Sequence, residues 1–168
     1  MPLLYGTTVT LRPVTAEDVG RLEEILRQPE VGHWLPHYEP GQAQREFAGT
    51  PGFGAFAIDV QAQLIGGAQY YEEPARDYRH ATIDVFLDYA WHGKGLGADT
   101  VRTLARHLLY DKGHHRLSIS LNAGNDKAVR TYQRVGFRPV GLMRQCERGP
   151  DGEWRDAMLL ELLKRDLQ

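Results

Sequence analysis

The sequence predicts an α+β fold in which helices flank a mixed β-sheet, within one domain spanning residues 1–168. Apolar and polar residues alternate along seven short runs, as in half-buried strands, and apolar residues recur at helical spacing along three segments. In chain order the elements read β-α-(loop or helix)-β-β-β-α-β-α-β-β. A chain of 168 residues suits one hydrophobic core and is short for two.

The amino-acid composition of the chain excludes several classes of function. Hydrophobic residues make up 42% and charged residues 25% of the chain, and 20 Lys+Arg against 22 Asp+Glu leave a net charge of -2, which argues against a nonspecific nucleic-acid binder. No apolar run approaches the ~20 residues of a membrane span, and the first residues lack a signal-peptide pattern. We therefore expect a cytoplasmic protein with no membrane or nucleic-acid partner. The single cysteine, Cys146, excludes an internal disulfide and a multi-cysteine zinc site, and we expect it to be structural.

The first predicted elements are a strand and a capped helix. Residues 8–14 alternate as a strand, and Thr15-Ala-Glu-Asp18 is typical of an N-cap with an acid at the third helical position. Val14 and Val19 occupy the positions of a hydrophobic staple. The apolar stripe of this helix is Val19, Leu22, Ile25 and Leu26.

Between residues 29 and 51 the pattern breaks, with prolines at 36 and 40 among polar aromatic residues. Loops of this kind often line pockets, and we expect Trp34 and Tyr38 to line one for the substrate. His33 and His37 do not predict a metal site, because Pro36 interrupts the helix that would align them and no third ligand is evident.

Three strands and a glycine loop are predicted next. Residues 53–60 and 64–71 indicate a hairpin joined by Gln61-Ala-Gln63, and residues 81–87 a further strand. Trp91-His-Gly-Lys-Gly-Leu-Gly97 then leads into a helix. The apolar stripe of that helix is Val101, Leu104, Ala105, Leu108 and Leu109.

A second C-terminal helix carries clear start and stop signals. Asn125 is a typical N-cap, and Gly136 stands at the C′ position where a left-handed residue ends many helices. The apolar stripe between them is Ala128, Val129, Tyr132 and Val135.

The remaining predicted elements are strands. Residues 116–121 alternate after His114-His115, a pair that we assign only to a favourable helix end. Two final strands, 137–147 and 154–163, flank a turn at residues 149–152.

Charge is unevenly distributed along the chain. Residues 1–80 carry six basic and 11 acidic side chains, whereas residues 81–168 carry 14 and 11. The stretch 92–138 carries nine basic and three acidic ones and contains the end of the glycine loop and its helix. This indicates an anionic ligand near the loop, although solvated helix faces account for the same charges.

Glycines 93, 95 and 97 allow the backbone to turn tightly and point N–H groups at a ligand, together with the positive end of the following helix. Gly93-x-Gly95-x-x-Ala98 fits the dinucleotide fingerprint of nicotinamide and flavin proteins, but lies mid-chain without the acid expected ~20 residues later. A tight turn without a ligand is a second interpretation, and a P-loop is excluded by its missing pattern.

A third interpretation rests on two separated motifs that resemble the GNAT superfamily of acetyl-CoA-dependent N-acetyltransferases. The pyrophosphate loop of that family reads [RQ]-x-x-G-x-[GA], and residues 92–97 match it except that His92 replaces Arg or Gln. Its second segment, N-x-x-A-x-x-x-Y-x-x-x-G-F, is matched throughout by Asn125, Ala128, Tyr132, Gly136 and Phe137. The resemblance covers nearly the whole chain.

Other segments resemble one branch of the family. V-T-L-R-P-V-T-A-E-D at residues 9–18 and D-G-E-W-R-D-A-M-L-L at residues 151–160 look like ribosomal-protein-alanine, spermidine and aminoglycoside 6′-N-acetyltransferases. Residues 64–70 and 83–87 are closest to the aminoglycoside enzymes. The resemblance implies a mixed, mostly antiparallel seven-stranded sheet, splayed in the middle and flanked by about four helices. It also implies acetyl-CoA as cosubstrate and no metal.

The resemblance assigns the coenzyme to the strand end, the loop and the second helix. Phe86 or Leu87 would give backbone groups to the pantetheine arm and an N–H to the oxyanion, while amides of residues 93–98 hold the pyrophosphate. Cations for the 3′-phosphate are expected from Lys94, Lys127, Arg130 and Arg134. The predicted coenzyme-binding set is Phe86, Leu87, His92, Gly93, Lys94, Gly95, Leu96, Gly97, Ala98, Asn125, Lys127, Ala128, Arg130 and Tyr132.

Two residues are predicted to be catalytic. By the resemblance, Tyr132 approaches the coenzyme sulfur as general acid, a core tyrosine being the alternative. Asp84 is the first candidate for the base that takes a proton from the acceptor amine, because it alternates with Ile83 and Val85 in a strand and matches an aspartate of the aminoglycoside enzymes. A structurally paired strand carboxylate is its alternative. Glu72 and Glu73 are alternative bases or cation-binding groups.

The sequence predicts the type of reaction more specifically than it predicts the acceptor molecule. The residues predicted to form its pocket wall, unless they are core residues, are Trp34, Tyr38, Tyr70 and Tyr71. The acidic first half favours a polycationic small molecule such as an aminoglycoside, while the closing segment equally suits a protein N-terminal amine or a polyamine. A domain that binds acyl-CoA without transferring it is the non-enzymatic alternative, and the residues do not decide between a monomer and a homodimer.

Overall fold

The computed structural model describes residues 1–36, 39, 41–47 and 52–168, with residues 44, 46 and 47 described by their backbone alone. Its centre is one mixed sheet of eight strands in the order β1-β2-β3-β4-β5-β6-β8-β7. The strands are β1 (Leu4–Tyr5), β2 (Thr10–Pro13), β3 (Phe53–Val60), β4 (Gln63–Glu72), β5 (Ala81–Leu87), β6 (Arg116–Asn122), β7 (Arg138–Arg148) and β8 (Trp154–Leu163). Each pair of neighbours is antiparallel except β5 and β6, which run parallel.

The α+β class and the mixed sheet are confirmed, with one strand more than the seven predicted. The additional strand is β1, in which Leu4 and Tyr5 pair with Leu11 and Thr10 of β2. Two residues are too few for an alternating pattern, so the sequence carries no signal for this strand.

Helices cover both faces of the sheet. Within the described ranges the α-helices are α1 (Val19–Leu26), α2 (Pro29–Gly32), α3 (Gln42–Phe47), α4 (Leu96–Arg106) and α5 (Asp126–Val135). About four were expected and five are described, of which α2 and α3 are short helices in the stretch that proline interrupts. None of the described helices is long and apolar enough to cross a membrane.

The predicted helix signals are present. Thr15 and Asp18 form the capping box, although the first turn is a 3₁₀ helix that precedes α1. The Asn125 side chain accepts the N–H of Ala128 at 3.2 Å and so caps α5. Gly136 ends α5 at a φ of 113°, where a Cβ would also collide with the carbonyl of Asp166. Two requirements, for positive φ and for close approach, therefore demand glycine here.

The sheet has two faces with different partners, which we call the α4 face and the α1 face. On the α4 face, Ile83 and Leu117 lie in one buried cluster with Val101 and Leu104 of α4. On the α1 face, Phe86 lies in a second cluster that includes Leu22, Ile25 and Val31. Successive residues of a strand point to opposite faces, so β5 contributes to both cores.

The sheet parts in its middle, as the resemblance implies. Strands β5 and β6 pair only where Ala81 faces Leu117 and Thr82 faces Ser118. The hydroxyls of Thr82 and Ser118 lie 3.0 Å apart at the last paired position. Beyond it the two strands separate, and we call this opening the splay. An opened ladder leaves backbone N–H and C=O groups for another partner to satisfy.

Asp99 ties the N-terminal hairpin to α4. Its carboxylate accepts the backbone N–H groups of Thr7, Thr8 and Val9 at 2.9, 2.7 and 3.0 Å. Burial raises the pKa of Asp99, but these hydrogen bonds outweigh it and leave the pKa below its ordinary value. The β1–β2 turn is thereby fixed against the first turn of the helix that follows the glycine loop.

His114 corrects one expectation. It was assigned only to a helix end, but it is 1% exposed, and its Nε2 lies 2.9 Å from Oε1 of Glu72. The Nζ of Lys112 lies 3.1 Å from the same oxygen. Burial raises the pKa of Glu72, while these two partners lower it further than burial raises it. The sequence gives no sign that these residues meet, because they are distant along the chain.

Arg12 connects β2, β3 and the start of α1. Its Nη1 lies 2.7 Å from Oδ2 of Asp18, and its Nε lies 2.7 Å from Oδ2 of Asp59. The hydrogen bonds of Arg12 to Asp18 are the largest cause that lowers the pKa of this carboxyl to about 2, from an ordinary 3.8. Asp18 is 8% exposed, so solvent screens this pairing weakly.

We predict that Asp18→Asn lowers the free energy of unfolding by about 2 kcal/mol at neutral pH, the worth of a pKa shift of this size. A depressed folded-state pKa adds stability above the unfolded-state pKa, and that stability is lost as pH falls from about 4 towards 2. Urea unfolding of both proteins at pH 7 and pH 2.5 measures the effect. The difference should narrow to about a third of its value at the lower pH, where Asp18 is partly protonated, and Asp77→Asn, at an exposed carboxyl, should cause none. A difference independent of pH would contradict the assignment.

Candidate active site

The backbone of β5 directs specific groups into the splay. The N–H of Asp88 donates to the carbonyl of Ile65 at 2.7 Å, in register with the β4–β5 ladder, which pairs Gly66 with Leu87. In an antiparallel ladder the residues that face the partner strand alternate. Phe86 therefore directs its N–H towards β4, and Leu87 directs its N–H towards the splay.

This alternation distinguishes the two predicted oxyanion donors. The Phe86 N–H belongs to the ladder, and its side chain packs against α1. Leu87 is the one of the two whose backbone faces the opening. Val85, two residues earlier, faces the same way. Val85 was not predicted, because the sequence does not reveal which edge of the strand is paired.

The glycine loop ends in an exposed helix N-terminus. Gly93 and Gly95 have φ values of 75° and 76°, in the left-handed region that favours glycine. Gly95 is the N-cap of α4, so the N–H groups of Leu96, Gly97 and Ala98 have no acceptor within the helix. These groups and the helix dipole form a backbone site for an anion.

Side chains of α1 and of Gln28, the residue before α2, anchor the start of this loop. Asp88 caps the 3₁₀ turn that precedes it, accepting the N–H of Ala90 at 3.0 Å. Its carboxylate also accepts Nε2 of Gln28 at 3.1 Å and the guanidinium of Arg21. Burial raises the pKa of Asp88, but its partners outweigh burial and hold the pKa below the ordinary value. The loop is thus held rigidly to a helix on the opposite face.

His92 has a backbone partner inside the loop. Its Nε2 lies 2.9 Å from the carbonyl of Leu87, which can only accept, so Nε2 carries the proton. The ring also meets Tyr89 edge to face at 5.4 Å. A direct phosphate contact by His92 remains a prediction. In this structure the hydrogen bond of the His92 side chain holds the glycine loop against the end of β5.

Three elements converge at Gly97. A Cβ built there would lie 3.6 Å from Cγ2 of Thr131 and 3.8 Å from Cδ1 of Leu87. The start of α4, the middle of α5 and the end of β5 therefore meet within van der Waals distance. This contact aligns the anion site with the mouth of the splay.

Exposed cations surround the same site. The Nζ of Lys94 lies 4.8 Å from the centre of the Trp91 ring, a cation–π distance. The predicted cations of α5 are also exposed and point away from the core; they are Lys127, Arg130 and Arg134. A phosphate that protrudes from the loop would meet positive charge at this surface.

Tyr132 lies on the α4 face, near the splay. It is 4% exposed and meets Phe137 edge to face at 5.4 Å. Burial first, and the negative charge of Asp84 second, raise the pKa of Tyr132 well above its ordinary value of 10.0. The phenol is therefore fully protonated at neutral pH. The effect of Asp84 also places these two predicted catalytic residues within electrostatic reach of each other.

Asp84 reaches the splay from the other side. Its neighbours Ile83 and Val85 pack into the α4-face core, so the Asp84 side chain points to the α1 face, where it is exposed. The splay thus has a protonated phenol on one face and a carboxylate on the other. Between them lie unpaired backbone groups of β5.

The comparisons with known proteins agree with this geometry. Residues 8–138 match the family model described as "Acetyltransferase (GNAT) domain", which is more than three quarters of the chain. The chain belongs to the GNAT acetyltransferase family. The resemblance noted from the sequence is confirmed, and the family replaces the dinucleotide interpretation of the glycine loop.

Several GNAT relatives align over much of the chain. The N-alpha-acetyltransferase RimI of Mycobacterium tuberculosis is 30% identical, over 83% of this chain and 85% of its own. The aminoglycoside N(6')-acetyltransferase type 1 of Klebsiella pneumoniae is 27% identical, over 86% and 79%. The spermine/spermidine N(1)-acetyltransferase of Bacillus subtilis is 32% identical over 46% of this chain. The alignment spans 55% of that enzyme's length and 62% of the length of the "Probable N-acetyltransferase YjcK" from the same organism.

Solved structures share the fold at low identity. Mycobacterium smegmatis RimJ in complex with CoA-disulfide superposes with a TM-score of 0.84 at 20% identity, covering 99% of this chain and 88% of the other. RimL, a ribosomal L7/L12 alpha-N-protein acetyltransferase in complex with coenzyme A, gives 0.83 at 18% identity, covering 96% and 98%. Both confirm the GNAT fold.

Part of the predicted acceptor wall lies elsewhere in this GNAT fold. Tyr70 is 5% exposed and packs into the α4-face core against Phe56, so the alternative of a core residue holds for it and it does not form a pocket wall. Glu72 is on that same face, bonded to His114 as described above. Glu73 follows β4, and its carboxylate accepts the N–H of Ala75 at 2.9 Å. The alternation of β4 instead places Tyr71, which is 46% exposed, on the α1 face.

Trp34, also predicted for the acceptor wall, lies against the β6–α5 loop, and its contact with an acceptor stays a prediction. A Cβ at Gly124 would come within 3.6 Å of its ring, so Trp34 reaches from the end of α2 to the β6–α5 loop. The neighbouring His33 carbonyl accepts Nη1 of Arg155 at 2.6 Å, which joins the same segment to β8. Tyr38 and His37 lie outside the described residues.

Two groove residues near Asp84 were not predicted for the acceptor site. Glu147 of β7 and Trp154 of β8 line a groove of about 370 Å³. Cys146, expected to be structural, is exposed and lines the same groove. Glu147 carries no sequence signal, because its role depends on a β-bulge that shifts the β7–β8 register between Met143 and Glu147. Among the described residues no cluster of three or more metal-ligating side chains occurs.

Proposed function

We propose that this GNAT domain transfers the acetyl group of acetyl-CoA directly to a primary amine in a ternary complex. The observation that supports this most is the continuity of the site. A backbone anion site at the start of α4 adjoins the splay, Tyr132 lies on one side of that opening and Asp84 on the other. A thioester with a diphosphate handle fits such a path.

The coenzyme is held mainly by backbone groups. The N–H groups at the start of α4 receive the diphosphate, and the exposed cations of Lys94 and α5 suit the 3′-phosphate. The pantetheine arm then enters the splay as a substitute strand beside β5, where Val85 and Leu87 offer N–H and C=O groups. The arm thereby forms hydrogen bonds with the backbone groups of β5 that have no partner strand where the sheet parts.

The thioester carbonyl comes to rest beside the same edge of β5. When the amine nitrogen attacks the carbonyl carbon, negative charge develops on its oxygen, and the Leu87 N–H is placed to stabilise it. Donors of this kind contribute about 2.7–4 kcal/mol of transition-state stabilisation in other enzymes. The C–S bond then breaks, and the thiolate takes the proton of the Tyr132 phenol.

The acceptor arrives from the α1 face. An amine near pKa 10 is protonated at neutral pH and must lose a proton before it can attack. Asp84 is the carboxylate at this side of the splay, and it receives that proton directly or through water. After the attack the nitrogen carries one proton more than the amide keeps, and this proton restores the Tyr132 phenol, while the proton on Asp84 goes to solvent. Each turnover therefore gives one proton to the coenzyme thiolate and one to solvent, so the charges balance.

A polycationic small molecule of the aminoglycoside type is the first candidate acceptor. The acidic N-terminal half and the carboxylates of Asp84 and Glu147 on the acceptor side support it. So does the relative named an aminoglycoside N(6')-acetyltransferase. A protein N-terminal amine is the second candidate, supported by the similarity to RimI at 30% identity, and a polyamine the third. A panel of these amines, assayed for release of free thiol, separates them.

The proposed role of the helix N-terminus is tested by Gly95→Ala. Because residue 95 has a φ of 76°, we expect the added Cβ to lower the free energy of unfolding by about 1 kcal/mol. We also expect acetyl-CoA binding to weaken at least tenfold, because the strain displaces the amides of Leu96 and Gly97. Gly113→Ala is the matched control, since Gly113 has a φ of 74°, equal space around it and no place in the site. Calorimetry should show equal loss of stability but unequal affinity. Equal affinity in both variants would refute the anion site.

The general acid is tested by Tyr132→Phe. Removing the hydroxyl leaves the edge-to-face contact with Phe137 intact, so we expect an unchanged melting temperature. Turnover should fall at least tenfold, because the leaving thiolate loses its proton donor. Tyr110→Phe, at an exposed tyrosine, is the control for loss of a hydroxyl. Unchanged turnover in Tyr132→Phe would remove this residue from the chemistry.

The base is tested by Asp84→Asn, which keeps the size of the side chain and removes its charge. We expect turnover at pH 7 to fall at least tenfold and the acidic limb of the pH profile of kcat/KM to disappear. Asp111→Asn is a suitable control at an exposed carboxyl away from the splay. A profile that keeps its shape would show that another group takes the proton.

A further inference from the structure

The groove beside the splay is larger, and is lined by more charged side chains, than the binding of one reacting amine requires. It is formed by the end of β7, the start of β8, Pro36, Glu39 and Gln42, and its volume is about 370 Å³. Its lining residues include the acidic Glu147 and Glu39, the basic Arg148 and the aromatic Trp154.

Glu147 is the informative residue of this groove. It stands directly opposite Arg155 in the β7–β8 ladder, so both point to the same face. The guanidinium of Arg155 is nevertheless directed elsewhere, to the His33 carbonyl at 2.6 Å and to Oδ2 of Asp151 at 3.4 Å. No described residue forms a hydrogen bond or ion pair with the Glu147 carboxylate, which is nonetheless half-buried.

Glu147 and Arg155 both point to the α1 face, which is the face from which the acceptor is proposed to arrive. Arg155 on β8 contacts the end of α2, whereas Leu160 and Leu162 of the same strand belong to the α4-face core. Burial raises the pKa of Glu147, and the negative charge of Asp84 raises it further, with Arg155 offsetting part of the shift. Two carboxylates on one side of the splay therefore repel each other across the acceptor cleft.

A second cation would relieve this repulsion. The Glu147 carboxylate reaches solvent and has no hydrogen-bond donor among the described residues, so it is available to a cationic ligand. Asp84 engages the amine that reacts, and Glu147 remains for a cation further along the same molecule.

We propose that Glu147 binds a second ammonium group of the acceptor, so that the natural substrates are diamines or polyamines whose cations span Asp84 and the Trp154 groove. This assignment rests on the proposed acetyl transfer, and it goes beyond it by naming the residue that selects the acceptor. A single peptide N-terminus would meet Asp84 alone, whereas a chain with two cations would meet both Asp84 and Glu147.

The test compares acceptors that differ only in the second charge. The series of 1,3- to 1,6-diamines is assayed beside the amino alcohols of equal length, with spermidine and an aminoglycoside as larger polycations, in wild type, Glu147→Gln and Glu153→Gln. We expect wild type to favour diamines over amino alcohols at least tenfold in kcat/KM. Glu147→Gln should reduce that preference at least tenfold, mainly through KM. Glu153→Gln removes the same charge from an exposed site in the same hairpin and should leave the preference unchanged.

The single cysteine provides a second readout that needs no folding-sensitive substitution. Cys146 lines the groove next to Glu147, so 2-aminoethyl methanethiosulfonate places a cation there, and methyl methanethiosulfonate places a neutral group. We expect the cationic adduct to weaken diamine binding at least fivefold more than the neutral adduct, and a thiol reductant to restore it. Calorimetry measures this binding without turnover.

The outcomes separate this assignment from the reaction itself. Absence of thiol release with every amine would overturn acetyl transfer, while diamine affinity by calorimetry would still decide the role of Glu147. Equal use of diamines and amino alcohols, or the same preference in Glu147→Gln as in wild type, would overturn the role of Glu147 and leave acetyl transfer standing. Preference for an uncharged peptide with a free N-terminus, unaffected by either variant, would overturn it as well.

Discussion

The feature on which this structure depends is the parting of β5 and β6 in the middle of the sheet. Two parallel strands that pair at only two positions expose backbone N–H and C=O groups at the centre of the molecule, where orphaned groups are costly. The two faces of the sheet are otherwise well packed, so the opening is specific to this place. A ligand that offers alternating donors and acceptors completes the ladder, and an extended amide-containing arm has that pattern.

The opening persists because rigid contacts hold its edges. Arg21 of α1 and Gln28, the residue before α2, hold Asp88 at the end of β5, and Asp99 fastens the first turn of α4 to the N-terminal hairpin. His92 closes the loop between these anchors. The anion site is thus positioned by buried carboxylates that face away from the ligand, while the contacts available to the ligand are main-chain amides. This division explains how a loop with a histidine at the usual Arg or Gln position keeps its geometry, because the anchors do not involve that side chain's charge.

Much of this architecture could be predicted from local signals in the sequence. Alternation predicted seven of the eight strands, and residues such as Thr15, Asn125 and Gly136 marked helix ends because their side chains or dihedral angles act on their immediate neighbours. The β3–β4 turn shows where such signals end: Gln61 and Ala62 adopt φ values of 50° and 63° without glycine, so the tertiary structure, not the residue type, imposes the turn.

The remaining features depend on register and on contacts distant in sequence. Tyr70 and Tyr71 are adjacent tyrosines in one strand, and only the packed sheet decides that the first is buried on the α4 face and the second exposed on the other. Glu147 reaches the acceptor side through a bulge in β7, and His114 meets Glu72 across 42 positions of sequence. Periodicity within one segment contains none of this information.

Electrostatic coupling across the splay links the two halves of the site. The carboxylate of Asp84 raises the pKa of Tyr132 on one face and of Glu147 on the other, so one negative charge affects both the predicted acid and the acceptor groove. A cation placed beside Asp84 offsets the part of each shift that this charge causes, whereas the part caused by burial remains. In the proposed mechanism, Tyr132 is therefore a better proton donor when a cationic acceptor occupies the cleft than when the cleft is vacant, so the charge of the acceptor would assist protonation of the leaving thiolate.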